Sequence, residues 1–136
     1  PAMGADRTVL AILCDAYVEE ELENNETRTL LKFKPIIAPI QVAVLPLSKN
    51  EALTEVSNSI YQKIKKLYRS QYDVTQSIGK RYRRQDEIGT PICITIDFDT
   101  VEKDDSVTLR HRDTMKQIRV KISELESKIE SLLSEF

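Results

Sequence analysis

The chain has 136 residues, 40% of them apolar and 31% charged, with a formal net charge of −2. That size suits one globular domain with a flanking element, and the acidic balance excludes a basic protein that coats nucleic acid indiscriminately. It leaves open RNA binding through a local patch, because Ile78–Arg84 and Arg110–Lys121 concentrate the Lys and Arg while Val18–Glu26 is acidic.

No signal peptide is expected, since Pro1-Ala2-Met3 reads as the abrupt start of a fragment. Thr8–Tyr17 then reads as a helix apolar nearly all round, which implies burial on more than one side. Its longest apolar stretch, Val9–Ala16, is too short to span a membrane. Cys14 and Cys93 both sit among apolar neighbours and read as buried thiols. With one histidine and no CxxC, no zinc site is expected. Val18–Glu26 reads as a turn-prone linker, Arg28–Phe33 as a short strand, and Pro35 and Pro39 as brackets of an extended connection.

Gln41–Leu47 has the continuous apolar character of a strand buried on both faces. Ser48 and Glu51 match a capping box, and the helix they open carries Leu53, Val56, Ile60, Ile64 and Leu67 as one stripe. Lys63, Lys65, Lys66 and Arg69 mark its other face, turned to solvent or to an RNA backbone. Tyr72-Asp73-Val74 supplies a second short strand, parallel to the first. Ser77–Ile88 is a helix capped by Ser77 and stopped by Gly89. Pro91–Phe98 is a strand, Asp99–Asp105 a polar loop, and Val107–Arg112 with Gln117–Ile122 a strand pair. Ser123 and Glu126 form a second capping box before a helix striped by Leu125, Ile129, Leu132 and Phe136. The elements predict an α/β fold, a mixed sheet of about five strands with helices packed on it, preceded by a stray N-terminal helix.

Two stretches are more specific than such a fold requires. One is Ser77-Ile78-Gly79-Lys80-Arg81-Tyr82-Arg83-Arg84-Gln85-Asp86-Glu87-Ile88-Gly89. The other is Thr95-Ile96-Asp97-Phe98-Asp99-Thr100-Val101 followed by Val107-Thr108-Leu109-Arg110-His111-Arg112-Asp113. Together with Leu45-Pro46-Leu47 they closely resemble the anticodon-binding domain of the dimeric class II glycyl-tRNA synthetases. The likeness runs from about Pro35 to the C-terminus. The related histidyl, prolyl and threonyl enzymes share the fold but fit these stretches less well.

The N-terminus is similar to motif 3 of that class, the GxxR turn entering a helix. The resemblance implies that Gly4, Ala5, Asp6 and Arg7 are an ATP-binding remnant, with Pro1, Ala2, Met3 and Gly4 a remnant of the glycine pocket. It divides the chain into residues 1–34, the end of a catalytic domain plus a connector, and residues 35–136, the anticodon-binding domain. The helix at Thr8–Tyr17 is then expected to pack on a catalytic sheet, and the chain alone is expected to be inactive. The parent enzyme is expected to be a cytoplasmic homodimer that activates glycine with ATP and Mg²⁺ and charges tRNA(Gly). No metal, cofactor or membrane is expected for this chain itself.

Glycine anticodons end in two cytosines, whose edges offer an amino donor beside ring acceptors. A carboxylate paired with an arginine or a backbone amide can select such an edge. The candidate RNA contacts are Arg81, Tyr82, Arg84, Asp86, Glu87, Asp97, Asp99, Thr100, Arg110 and Arg112. Strand alternation places Arg110 and Arg112 on one face, with Leu109 and His111 opposite. Each has a plainer reading: the basic run of the helix as a solvated face, Asp97 and Asp99 as metal ligands, His111 as a packing imidazole. Two alternatives in function are a non-catalytic accessory module for nucleic-acid binding or dimerisation, and a nucleotide-binding α/β domain. The second lacks a glycine-rich loop after Gln41–Leu47.

Overall fold

The computed structural model describes residues 4–136, so the readings made on Pro1, Ala2 and Met3 lie outside the described residues. Helix α1 (Ala5–Ala16) leads without interruption into an antiparallel hairpin of β1 (Tyr17–Glu21) and β2 (Thr27–Leu31). The acidic segment expected to be a linker is therefore partly a strand. Its side chains alternate between solvent and the body of the protein: Glu19 and Glu21 face solvent, while Glu20 turns in and pairs with Arg28.

The main body is a five-stranded mixed sheet in the order β4-β3-β5-β6-β7. Strand β3 (Val42–Pro46) is fully buried, as its unbroken apolar run predicts. It pairs in parallel with β4 (Ser70–Tyr72) and with β5 (Ile92–Ile96). Strands β6 (Ser106–His111) and β7 (Gln117–Lys121) complete the sheet in antiparallel register. The crossovers between the parallel strands are α2 (Glu51–Ile64) and α3 (Ile78–Ile88); α4 (Leu125–Leu133) closes the chain.

The pleat sends alternate residues to two unlike faces. Val42, Val44, Ile92, Ile94, Ile96, Val107 and Leu109 pack on Leu53, Ile60 and Ile64 of α2 and on Leu125 and Ile129 of α4. This is the main core; burying each such side chain contributes about 1.5–3 kcal/mol. Ala43, Leu45 and Cys93 face the other way, under Ile78 and Tyr82 of α3. Helix α3 covers only this part of the second face, and Thr108 and Arg119 beyond it are not buried.

Several local expectations are corrected. Helix α2 is capped by Asn50, whose side chain accepts the Ala52 amide at 2.9 Å, while Ser48 only steadies the Asn50 amide. The second capping box does not form either. A 3₁₀ turn (Ile122–Glu124) precedes α4, whose N-cap is Glu124, with no side-chain bond. The strand expected at Tyr72-Asp73-Val74 ends at Tyr72, because Asp73 turns to hold the following loop. The loop expected at Asp99–Asp105 contains a π-helical turn, Thr100–Asp104. Leu67 lies beyond the end of α2 and is exposed. Cys14 is exposed too, since α1 buries only Ala16 while Val9, Leu10, Ile12 and Leu13 face outward. Cys93 is buried as expected, and burial pushes its thiol up to about 12.

Candidate nucleic-acid interface

Strands β3, β4 and β5 all end at one edge of the sheet, and α3 begins there. Such an edge is where open α/β sheets leave a crevice, because the crossover helices diverge from it. Arg81 ties the edge together. Its guanidinium donates to the carbonyls of Pro46 (2.5 Å), Asp73 (3.0 Å) and Leu47 (3.2 Å), closing the ends of β3 and β4 under the first turn of α3. Arg84 anchors the loop before α3 through Asp73 (2.5 Å), Thr75 (3.0 Å) and Gln76 (2.8 Å).

One register of the sheet forms a polar row on the second face, buried at Thr95 and open at Thr108 and Arg119. The Tyr82 hydroxyl lies 2.5 Å from Thr95 Oγ1; Thr95 is paired with Thr108, and Thr108 with Arg119. Arg119 donates to Thr108 Oγ1 at 3.2 Å and grips Asp97 with both terminal nitrogens, at 2.8 and 3.1 Å. A further donation, at 3.3 Å, reaches Asp104. Asp97 is also fixed by Thr100, whose amide and hydroxyl donate to Oδ1 at 3.0 and 3.1 Å. Burial alone would raise the Asp97 pKa, but the bonds from Arg119 and Thr100 outweigh it and hold the carboxyl below its usual value. The group is ionised and acceptor-only at neutral pH. Three of its four accepted bonds fall on Oδ1, which leaves Oδ2, bonded to Arg119 alone, with lone-pair capacity toward solvent. The terminal N–H groups of Arg119 are taken by Asp97, Thr108 and Asp104, so the partly exposed pair presents the Asp97 Oδ2 acceptor beside the Arg119 Nε–H donor.

The sequence-predicted residues fall into distinct groups around this floor. Tyr82, Asp97 and Thr100 are brought together at the edge, Thr100 beneath the surface as the clamp on Asp97. Asp99 is exposed on the same rim and pairs with Lys103 at 3.5 Å rather than with Asp97. Among the described residues no group of three potential metal ligands occurs. Arg81 is buried under the edge and Arg84 is half-exposed and engaged with its own loop. Glu87 is exposed near the far end of α3.

Asp86, Arg110 and Arg112 are buried, so their guanidinium and carboxylate groups meet protein rather than solvent. Arg110 holds Asp86 in a two-bond fork (2.8 and 3.0 Å), with its guanidinium 4.7 Å from the centre of the Tyr82 ring. Arg112 donates to the Gly89 carbonyl and lies over the Phe136 ring. Leu109 points into the main core, opposite Arg110, as alternation predicts. Arg112, however, lies past the end of β6 and covers the same Phe136 ring on which His111 stacks, so Arg112 and His111 are not separated to opposite faces. Gly4, Ala5, Asp6 and Arg7 are exposed at the start of α1.

Arg119 is the residue that sequence reasoning missed. Its signal was present: alternation with Ile118 and Val120 puts it on the same face as Arg110, one strand further out. Thr95 and Thr108 carried no such signal, because a threonine in a strand is ordinary.

The family model described as "Anticodon binding domain" matches residues 41–132. A glycine–tRNA ligase of Ruminiclostridium cellulolyticum is 56% identical over 131 residues, and one of Clostridium acetobutylicum 60% over 130 residues. Each alignment covers 96% of this chain, and the chain spans 28% of the length of these relatives. A crystal structure of prolyl-tRNA synthetase from Cryptosporidium parvum, complexed with halofuginone and AMPPNP, superposes with a TM-score of 0.71 at 26% identity. It covers 87% of this chain and 30% of its own.

Proposed function

This chain belongs to the anticodon binding domain family, and from that premise we propose that it reads the anticodon of tRNA(Gly) as part of a glycine–tRNA ligase. Identities of 56% and 60% to ligases of that name, over nearly the whole chain, favour glycine over the other amino acids whose synthetases share the fold. Activation of glycine with ATP and Mg²⁺, esterification of the tRNA and any homodimeric assembly belong, on this reading, to the longer cytoplasmic enzyme. Gly4, Ala5, Asp6 and Arg7 would contribute to its nucleotide site. Among the described residues, no helix is long and apolar enough to cross a membrane.

The observation that carries the reading is the Asp97–Arg119 pair on the polar row. A cytosine edge placed on it would donate its amino hydrogen to Asp97 Oδ2 and accept from Arg119 Nε–H, the guanidinium donor that Asp97, Thr108 and Asp104 leave over. Tyr82 offers its hydroxyl to a neighbouring base, backed by the buried Thr95 beneath it, and Asp99 lines the rim. Thr100 and Arg81 act from below by fixing the carboxylate and the edge. Charged partners held in place before the RNA arrives lose little freedom on binding, which favours discrimination.

The test is a binding titration of this chain with tRNA(Gly) and with a tRNA whose two anticodon cytosines are changed, at one fixed salt concentration. The native tRNA should bind more tightly, by on the order of 1–3 kcal/mol for each lost bidentate contact. Equal affinities would contradict base reading by this chain.

A further inference from the structure

A carboxylate taken out of water needs cations and hydrogen-bond donors around it, because its desolvation cost is otherwise uncompensated. Asp86 is fully buried in α3 and meets that demand with guanidinium groups from three elements. Arg110 of β6 supplies the fork and Arg83 approaches to 3.9 Å from the same helix. Arg28 reaches Asp86 from β2, at 3.3 Å, and is itself fully buried.

Arg28 lies outside residues 41–132, the segment matched by the family model. It nonetheless makes four connections. Besides Asp86 it donates to the Arg112 carbonyl (2.6 Å), the Asp113 carbonyl (3.2 Å) and Glu20 (3.0 Å). One side chain of the N-terminal hairpin therefore fixes both α3 and the turn between β6 and β7. Arg110, held by Asp86, covers the Tyr82 ring, and Tyr82 ends at Thr95 on the polar row. The contacts form an unbroken chain from the hairpin to the floor of the candidate RNA site.

We propose that Arg28, acting through Asp86 and Arg110, is a positioning residue for RNA reading that sets the place of Tyr82. The inference rests on the anticodon-reading assignment for its RNA readout, but its structural readout is independent of that assignment. A planar guanidinium can serve two carbonyls and two carboxylates at once, whereas a lysine ammonium keeps the charge and cannot span them. Replacing Arg28 by lysine thus keeps the buried positive charge while releasing the geometry.

The experiment compares the full chain with Arg28→Lys and Arg110→Lys. It follows the Tyr82 ring resonances by NMR and the ratio of affinities for tRNA(Gly) and its cytosine-changed form. Arg28→Lys should still melt cooperatively, shift the Tyr82 ring resonances, and lower the discrimination ratio by about threefold to tenfold. Affinity for the cytosine-changed RNA should not move, which separates lost positioning from general loosening. Unchanged Tyr82 resonances, or shifted resonances with an intact ratio, would overturn the proposal. If the unsubstituted chain shows no discrimination, the anticodon reading itself fails, and the resonances still decide whether Arg28 places Tyr82. Should Arg28→Lys not fold, Arg110→Lys, which keeps a cation on Asp86 but removes the stack on Tyr82, is read by the same two measurements.

Discussion

At the scale of single residues, base reading depends on Asp97 being an ionised acceptor held by Arg119 and Thr100. Its depressed pKa is also a statement about stability. A carboxyl whose pKa is lower in the folded than in the unfolded state contributes stability that is fully present above the ordinary carboxylate value of about 4. That contribution is lost as pH falls through the lower folded value. Arg119→Ala removes the largest of the influences that lower the pKa, so the Asp97 carboxyl carbon should titrate at higher pH in an NMR titration; an unmoved midpoint would contradict the geometry. Which residues share a face was legible within the strand, because alternation alone sets Arg110 opposite Leu109, but not for Arg112, which lies past the end of β6 and meets the Phe136 ring beside His111. The burial of Arg110 and Arg112 was not legible. It depends on Asp86, in another element, and on Arg28, more than 80 residues upstream of Arg112 in contact terms. Arginines on the polar face of a strand look alike in sequence whether they end in water or in a carboxylate.

At the scale of elements, α3 is the most informative segment. Its start and stop were readable: Ser77 caps it, and Gly89 ends it in the left-handed conformation at φ 82°. The sequence did not show what Gly89 touches. A Cβ there would overlap the Phe33 ring and lie 2.8 Å from the Leu31 carbonyl, so the helix end is fitted against the strand β2 and its continuation. Gly89→Ala should therefore cost more than the roughly 1–2 kcal/mol expected from the left-handed backbone alone. Urea unfolding measures it, and a loss smaller than that would mean the helix end is loosely packed. The capping boxes were misread for a physical reason. The pattern of a serine followed three residues later by a glutamate competes with any better-placed oxygen, and Asn50, directly before α2, supplies one. Strand β1 was missed because its side chains are half solvated and mostly glutamate, which carries a weak strand preference.

At the scale of the molecule, the sheet separates two tasks. One face is an apolar core closed by α2 and α4, whose continuous runs of Val, Ile and Leu made the α/β architecture readable. The other is half covered by α3 and left polar where Thr108 and Arg119 lie, and only assembly of three strands in register creates that row. The hairpin belongs to the same mechanical unit, since Arg28 and Phe33 both bear on α3 or its C-terminal cap. Helix α1 presents Val9, Leu10, Ile12 and Leu13 outward, in contrast to the all-round burial that its composition suggests.

The central claim is that the Asp97–Arg119 pair reads a cytosine edge, and a double-mutant cycle tests it most directly. Asp97→Asn in the chain is combined with replacement of each anticodon cytosine in the tRNA, and all binding constants are measured at one salt concentration. For one of the two cytosines the effects should be non-additive, with a coupling on the order of 0.5–3 kcal/mol. Additive losses at both positions would show that Asp97 does not contact either base and would contradict the account.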